Sequence, residues 1–89
     1  MTEFEQTKLA VLIDQGESIK KTNLCGKNIK YIEGNDFDKW LQDCIYFLKQ
    51  YFPNENITKN LLAYHSITSL YATTFSNFIE QLRELKERV

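Results

Sequence analysis

The chain has 89 residues, a hydrophobic fraction of 43% and a formal net charge of −1. This length supports one core rather than two, and the charge balance lacks the positive surplus with which nucleic-acid-binding proteins displace counterions from phosphates. With only three Gly and one Pro, the chain has too few turn formers for a sheet protein. We predict a single all-α domain over residues 1–89, a small bundle of three main helices plus one short helix.

The first helix is predicted from about residue 3 to 21. Thr2 and Glu5 have the spacing of a capping box, which marks a helix start. Gly16 leaves two alternatives open: a helix that ends there, or a continuous helix with Gly16 on its packed side, where the missing side chain lets another element approach. The second is favoured because residues 17–21 are ordinary helix formers and the apolar face continues beyond the glycine. That face comprises Leu9, Leu12, Ile13, Gly16 and Ile19.

Residues 22–35 are rich in turn formers and are predicted to be a loop. Ile29, Tyr31 and Ile32 could form a short extended piece within it. A single strand has no partner in an all-α protein, so we expect these apolar residues only to pin the loop to the bundle.

The central helix is predicted from Asp36 to Phe52, with Pro53 ending it because proline has no amide proton to donate. At 1.5 Å per residue it is about 25 Å long. Trp40 lies within its apolar stripe, so we expect it to be buried and structural rather than a ligand-stacking residue. The stripe comprises Phe37, Trp40, Leu41, Cys44, Ile45, Leu48, Tyr51 and Phe52.

Two helices are predicted after Pro53. Thr58 is expected to cap a short helix through about Ser66, and a last helix is expected from Ile67 to Arg88, about 33 Å long. Because this exceeds the length of the central helix, the last turns should overhang the core and carry an association surface. The residues predicted for that surface are Leu82, Leu85 and Val89.

No residue combination indicates catalysis, a cofactor or a metal site. His65 is the only histidine, and no motif surrounds it or Cys25 that would make them a base and a nucleophile. Cys44 lies on the apolar stripe, where a free cysteine acts as a small hydrophobe. Zinc sites draw on several Cys and His ligands, which this chain does not provide at suitable spacing. We therefore predict a non-enzymatic protein without cofactor.

One basic group interrupts the balanced charge and predicts weak phosphate contacts, although Glu17 and Glu33 dilute it. The alternative function is a small nucleic-acid-binding regulator whose short and last helices form a helix-turn-helix. That reading needs basic groups on the recognition helix, and residues 67–72 contain none. The basic group comprises Lys20, Lys21, Lys27 and Lys30.

The sequence also predicts the compartment. The apolar runs are far shorter than the roughly 18–20 residues that span a bilayer, and the N-terminal residues, with Glu3 and Glu5, lack the basic start of a signal peptide. We expect a cytoplasmic protein without membrane contact, in which both cysteines are reduced.

Several packing motifs together resemble a known domain. They are Leu12-Ile13 with Gly16, Ile19-Lys20-Lys21-Thr22, Phe37-x-x-Trp40, Phe47-Leu48, Tyr51-Phe52 and Leu82-x-x-Leu85-Lys86-Glu87. The pattern, which spans nearly the whole chain, resembles a small helical domain at the N-terminus of many otherwise different bacterial and phage proteins, mostly uncharacterised and some suspected of roles in phage defence. In such proteins a separate domain typically follows, which these 89 residues do not include. The resemblance implies an accessory interaction or oligomerisation module that binds another protein or forms a homodimer.

Overall fold

The computed structural model describes residues 2–64 and 67–88, and within them the chain forms four helices and three short strands. Helices dominate, as the sequence predicts, but the strictly all-α prediction is wrong because the strands pair into an antiparallel sheet. The elements are α1 (Glu3–Thr22), β1 (Leu24–Cys25), β2 (Tyr31–Glu33), α2 (Asn35–Tyr51), α3 (Asn56–Leu62), β3 (Ser69–Tyr71) and α4 (Ala72–Glu87).

The first helix continues through Gly16 to Thr22. Its start has the predicted cap, in which the backbone N–H of Glu5 donates to the hydroxyl of Thr2 at 3.2 Å. A Cβ atom at position 16 would lie 3.0 Å from the indole ring of Trp40, so the glycine is what allows α2 to approach α1 this closely. The alternative of a helix ending at Gly16 is wrong.

Successive helices run antiparallel in an up-down-up-down bundle. Pairs of contacts between distant parts of the sequence establish the directions. For α1 and α2 they are Leu12 with Trp40 and Phe4 with Tyr51. For α1 and α4 they are Glu17 with Arg83 and the groove shared by Ala10 and Glu87, and for α3 and α4 they are Asn60 with Gln81 and Glu55 with Arg88. The molecule is elongated, 41 × 22 × 19 Å, along the bundle.

Trp40 is at the centre of the core, as predicted. Only 2% of its surface is exposed, and its ring meets that of Phe75 edge-on with centroids 4.9 Å apart. Its indole N–H donates to the carbonyl oxygen of Leu12 at 2.8 Å. The buried polar atom of this large side chain is therefore satisfied by the backbone of α1.

The predicted loop over residues 22–35 is wrong in part, because it contains β1 and β2. Their missing partner comes from the segment that the sequence assigns to the last helix: β2 pairs with β3 in the register Ile32 opposite Leu70. Both of these side chains are buried against the helices. The apolar residue in each short strand thus closes one end of the core, and three strands replace a lone one.

The last two helices also differ from prediction. Thr58 does not cap α3 but lies inside it, 1% exposed, and its hydroxyl donates to the carbonyl of Phe52 at 2.6 Å. The predicted end of this helix, Ser66, lies outside the described residues. The last helix begins at Ala72 rather than Ile67, so its 16 residues span about 24 Å, close to the roughly 25 Å of α2. The predicted overhang is therefore absent from the described part of α4.

Candidate interaction surface at the sheet end

Two of the three residues predicted for the association surface are buried. Leu82 is fully buried and Leu85 is 2% exposed, both within the core of the same chain. This prediction is wrong for them because α4 matches α2 in length and packs along α1 over its last turns. Val89 lies outside the described residues.

The four lysines predicted to contact phosphate lie on one continuous stretch, from the last turn of α1 to the residue before β2. The ammonium of Lys30 donates to the carbonyl of Gly26 at 2.7 Å, which ties this side chain to its own loop. The carboxylate of Glu17 pairs with Arg83 at 2.9 Å. None of Lys20, Lys21, Lys27 and Lys30 forms an ion pair with another described residue.

The two cysteines occupy different environments. Cys44 is fully buried, and burial raises the pKa of its thiol well above the ordinary value, with Asp43 adding to the rise and Lys8 opposing it. Cys25 is half-buried in β1, and its pKa is raised by desolvation and by the negative charge and hydrogen bond of Glu33. His65 lies outside the described residues. Among the residues described, no group of three His, Cys, Asp or Glu side chains could hold a metal ion.

A groove of about 540 Å³ separates α1 from α2 on one side of the bundle. Trp40 and Ile19 contribute to its lining, but so do four charged side chains. Charged groups are depleted from the centres of protein interfaces because they remain better solvated in water. We therefore do not assign the groove as the candidate site. Its charged residues are Asp14, Asp36, Lys39 and Asp43.

A smaller cavity at the sheet end, of about 350 Å³, is lined by uncharged side chains. Its lining comes from the sheet, from the turn after α3, from the segment leading into β3 and from the first turn of α4. This combination of apolar lining and hydroxyl groups is typical of recognition sites. The lining residues are Tyr31, Tyr64, Ile67, Ser69, Leu70, Tyr71 and Thr74.

Two tyrosines dominate the outward face of the sheet beside this cavity. Tyr31 on β2 is directly opposite Tyr71 on β3. Side chains alternate between the faces of a strand, so the burial of the intervening Leu70 places both tyrosines on the face away from the bundle. Tyr71 remains 61% exposed. A large amphipathic ring is therefore presented to solvent at the rim of an uncharged cavity.

The backbone of β3 is paired along only one of its edges. Sheet order is β1, β2, β3, so among the described residues β3 has β2 on one side and no strand on the other. The N–H of Ala72 donates to the carbonyl of Lys30 at 3.0 Å, which fixes the alternation of the ladder. Leu70 therefore directs its backbone groups toward β2, and Ser69 and Tyr71 direct theirs toward the free edge.

Sequence reasoning missed this surface because residues 69–71 fit a helical stripe as well as they fit a strand. The alternation of exposed Ser69, buried Leu70 and exposed Tyr71 is the correct signal, but it covers three residues only. Such a short segment does not distinguish a period of two from a period of 3.6.

No family model, curated protein or solved structure matches this chain. Among the helices of the described residues, none is long and apolar enough to cross a membrane.

Proposed function

We propose that this domain is a non-enzymatic protein-interaction module whose sheet end binds a partner protein. The observation that supports the proposal is the uncharged cavity lined in part by Tyr71, a side chain that is 61% exposed. Tyrosines are enriched at the centres of protein interfaces because they provide a large contact area with one polar tip. The resemblance of the sequence to an accessory interaction module points to the same class of function.

The alternative of a helix-turn-helix regulator receives no support from the arrangement of α3 and α4. A helix-turn-helix joins its two helices by a turn of three or four residues. Residues 63–71 separate α3 from α4, and they include a strand that pairs with β2. The first turns of α4 carry no Lys or Arg.

The proposal is tested by selecting ligands for the whole domain from a display library of random linear peptides. We expect selected peptides to shift the amide resonances of residues around Tyr71 and Thr74. Replacing Tyr71 by Ser should weaken their binding by about tenfold or more, as for an interface hot spot. Because Tyr71 is largely exposed, the substitution should leave the melting temperature unchanged within a few degrees.

The matched control is Tyr46→Ser, since Tyr46 is 74% exposed on α2 and does not line the cavity. It should not change peptide affinity. A selection that enriches no peptide, or peptides that bind Tyr71→Ser as tightly as the wild type, would contradict the proposal. Sedimentation of the free domain over a wide concentration range distinguishes the two kinds of partner: self-association lost in Tyr71→Ser would identify a second copy.

A further inference from the structure

We infer that the partner binds as an extended segment that adds a strand to the free edge of β3. This inference rests on the proposed function, since it specifies how a partner occupies the sheet end.

The backbone groups on the free edge of β3 are arranged to pair with another strand. The N–H and C=O of Ser69 and the N–H of Tyr71 point away from β2, and they make no hydrogen bond to another described residue. The carbonyl of Tyr71 is not part of this set. Tyr71 is the N-cap of α4, and the carbonyl of an N-cap residue accepts the first hydrogen bond of its helix. Unpaired donors and acceptors spaced along an edge are matched by the groups of an extended chain, which is the basis of recognition by strand addition.

The lining of the cavity beside this edge determines which side chains the added segment should carry. A strand directs successive side chains to opposite faces, so residues two apart on an added segment would face the tyrosine side of the sheet together. There they meet Tyr71, Tyr64 and Ile67, with no charged residue in the lining. A cavity of about 350 Å³ accommodates one or two large side chains. The expected ligand is therefore a linear segment with aliphatic or aromatic residues at alternate positions.

The same surroundings favour a linear peptide over a second copy of the domain. Pairing of two β3 edges would bring two complete domains together at the edge. Tyr64, Ile67 and Thr74 line the cavity together with the sheet residues, and a second domain would bring its own copies of these side chains to the same edge. A single extended chain needs only the spacing of about 4.8 Å between neighbouring strands.

The test uses the intact domain and a pair of matched variants. In Ser69→Pro the backbone donor on the free edge is lost, whereas the hydrogen bonds between β2 and Leu70 do not involve that donor. Ser69→Ala removes the hydroxyl and keeps the donor. We expect Ser69→Pro to weaken binding of the selected peptides about tenfold or more and Ser69→Ala to have little effect. Circular dichroism checks that both variants keep the fold.

Two measurements on the wild-type domain keep the inference testable if Ser69→Pro disturbs folding. Amide exchange at Ser69 and Tyr71 should slow when peptide binds, because both protons gain acceptors. N-methylation should abolish peptide binding when the methyl group is placed on alternate backbone amides, and it should be tolerated on the amides between them.

Unchanged exchange at both amides, or N-methylation tolerated at every position, would overturn strand addition. If Tyr71→Ser still weakens binding in that case, the proposed interaction surface stands and only the mode of binding is wrong. If no peptide binds at the sheet end, both the inference and the proposed function fail.

Discussion

The bundle around Trp40 and the sheet end satisfy their polar groups in different ways. In the bundle, the indole of Trp40 and the hydroxyl of Thr58 both donate to backbone carbonyls, and among the described residues no buried side-chain nitrogen or oxygen lacks a partner. At the sheet end, β3 is paired along one edge and Tyr71 is exposed. Folding free energy therefore comes mainly from the bundle, where most of the buried side chains lie, while one edge of β3 has no partner among the described residues.

The largest effect should come from Leu85→Glu in the bundle. Leu85 is 2% exposed, so the variant loses the apolar contacts whose removal costs about 2–5 kcal/mol in a Leu→Ala change, and it also buries a carboxyl group without a partner. We expect the domain to unfold, as measured by far-ultraviolet circular dichroism. The control Tyr71→Glu places the same charge at the sheet end and should remain folded. A folded Leu85→Glu protein with reduced self-association would restore the association surface predicted from sequence.

The next effect is that of Trp40→Ala, which should lower the free energy of unfolding by about 3–5 kcal/mol. The substitution empties the space between Gly16, Leu12 and Phe75. Urea denaturation measures the loss, provided that the native protein is still populated without denaturant. Trp40→Phe retains an aromatic ring and should cost less. A loss below about 1 kcal/mol for Trp40→Ala would mean that the core is not organised around this residue.

Gly34→Ala tests the connection between the sheet end and the bundle. Gly34 connects β2 to α2 with φ 119° and ψ 169°, a conformation that residues with a Cβ atom rarely adopt. A Cβ there would also lie 2.7 Å from the side-chain nitrogen of Asn23. We expect a loss of about 1–3 kcal/mol in urea denaturation. Asn54→Ala, in the exposed turn before α3, is the control and should cost little; equal stability of the two variants would contradict the strained connection.

The smallest effect concerns the reaction rates of the two thiols in the folded protein. Cys25 is half-buried at the sheet end and should react with a thiol reagent in the native protein, whereas Cys44 should react only on unfolding. The thiolate is the reactive form, and desolvation together with the charge of Glu33 raises the pKa of Cys25, so its reaction should accelerate as pH rises toward and above the ordinary thiol range. Glu33→Gln should lower that pKa and speed the reaction at neutral pH. Equal rates with and without Glu33 would show that its charge does not act on the thiol.

The bundle was predictable because its signals are long and repeated. The stripe of α2 extends over seventeen residues, and the cap at Thr2 and the packed glycine at position 16 agree with it. The sheet was not predictable in the same way, since β1, β2 and β3 have two or three residues each and pair across up to forty positions of sequence. The apolar residues Ile67, Leu70 and Tyr71 fit the helical spacing of the segment that follows, so the period alone favoured a longer helix.

The candidate surface was correspondingly beyond the reach of sequence reasoning. Leu82 and Leu85 were predicted to be exposed from an estimate of helix length, and an error of five residues at the start of α4 reversed the conclusion. Tyr71 could be recognised as exposed only after the register with Tyr31 placed it on the outer face. Strand pairing between distant segments, not local composition, decides which aromatic residues remain accessible.

The direct junction of β3 and α4 has a mechanical consequence. Tyr71 is both the last residue of β3 and the N-cap of α4, so no hinge residue separates the edge strand from the helix. A tensile load on a segment held at this edge would pass straight into α4, and from there into α1 through the Glu17 to Arg83 ion pair and the packing of Ile79 against Gly16. If the proposed segment binds at this edge, the direct junction of β3 with α4 sets its angle to the long axis of the bundle, with no flexible linker between them.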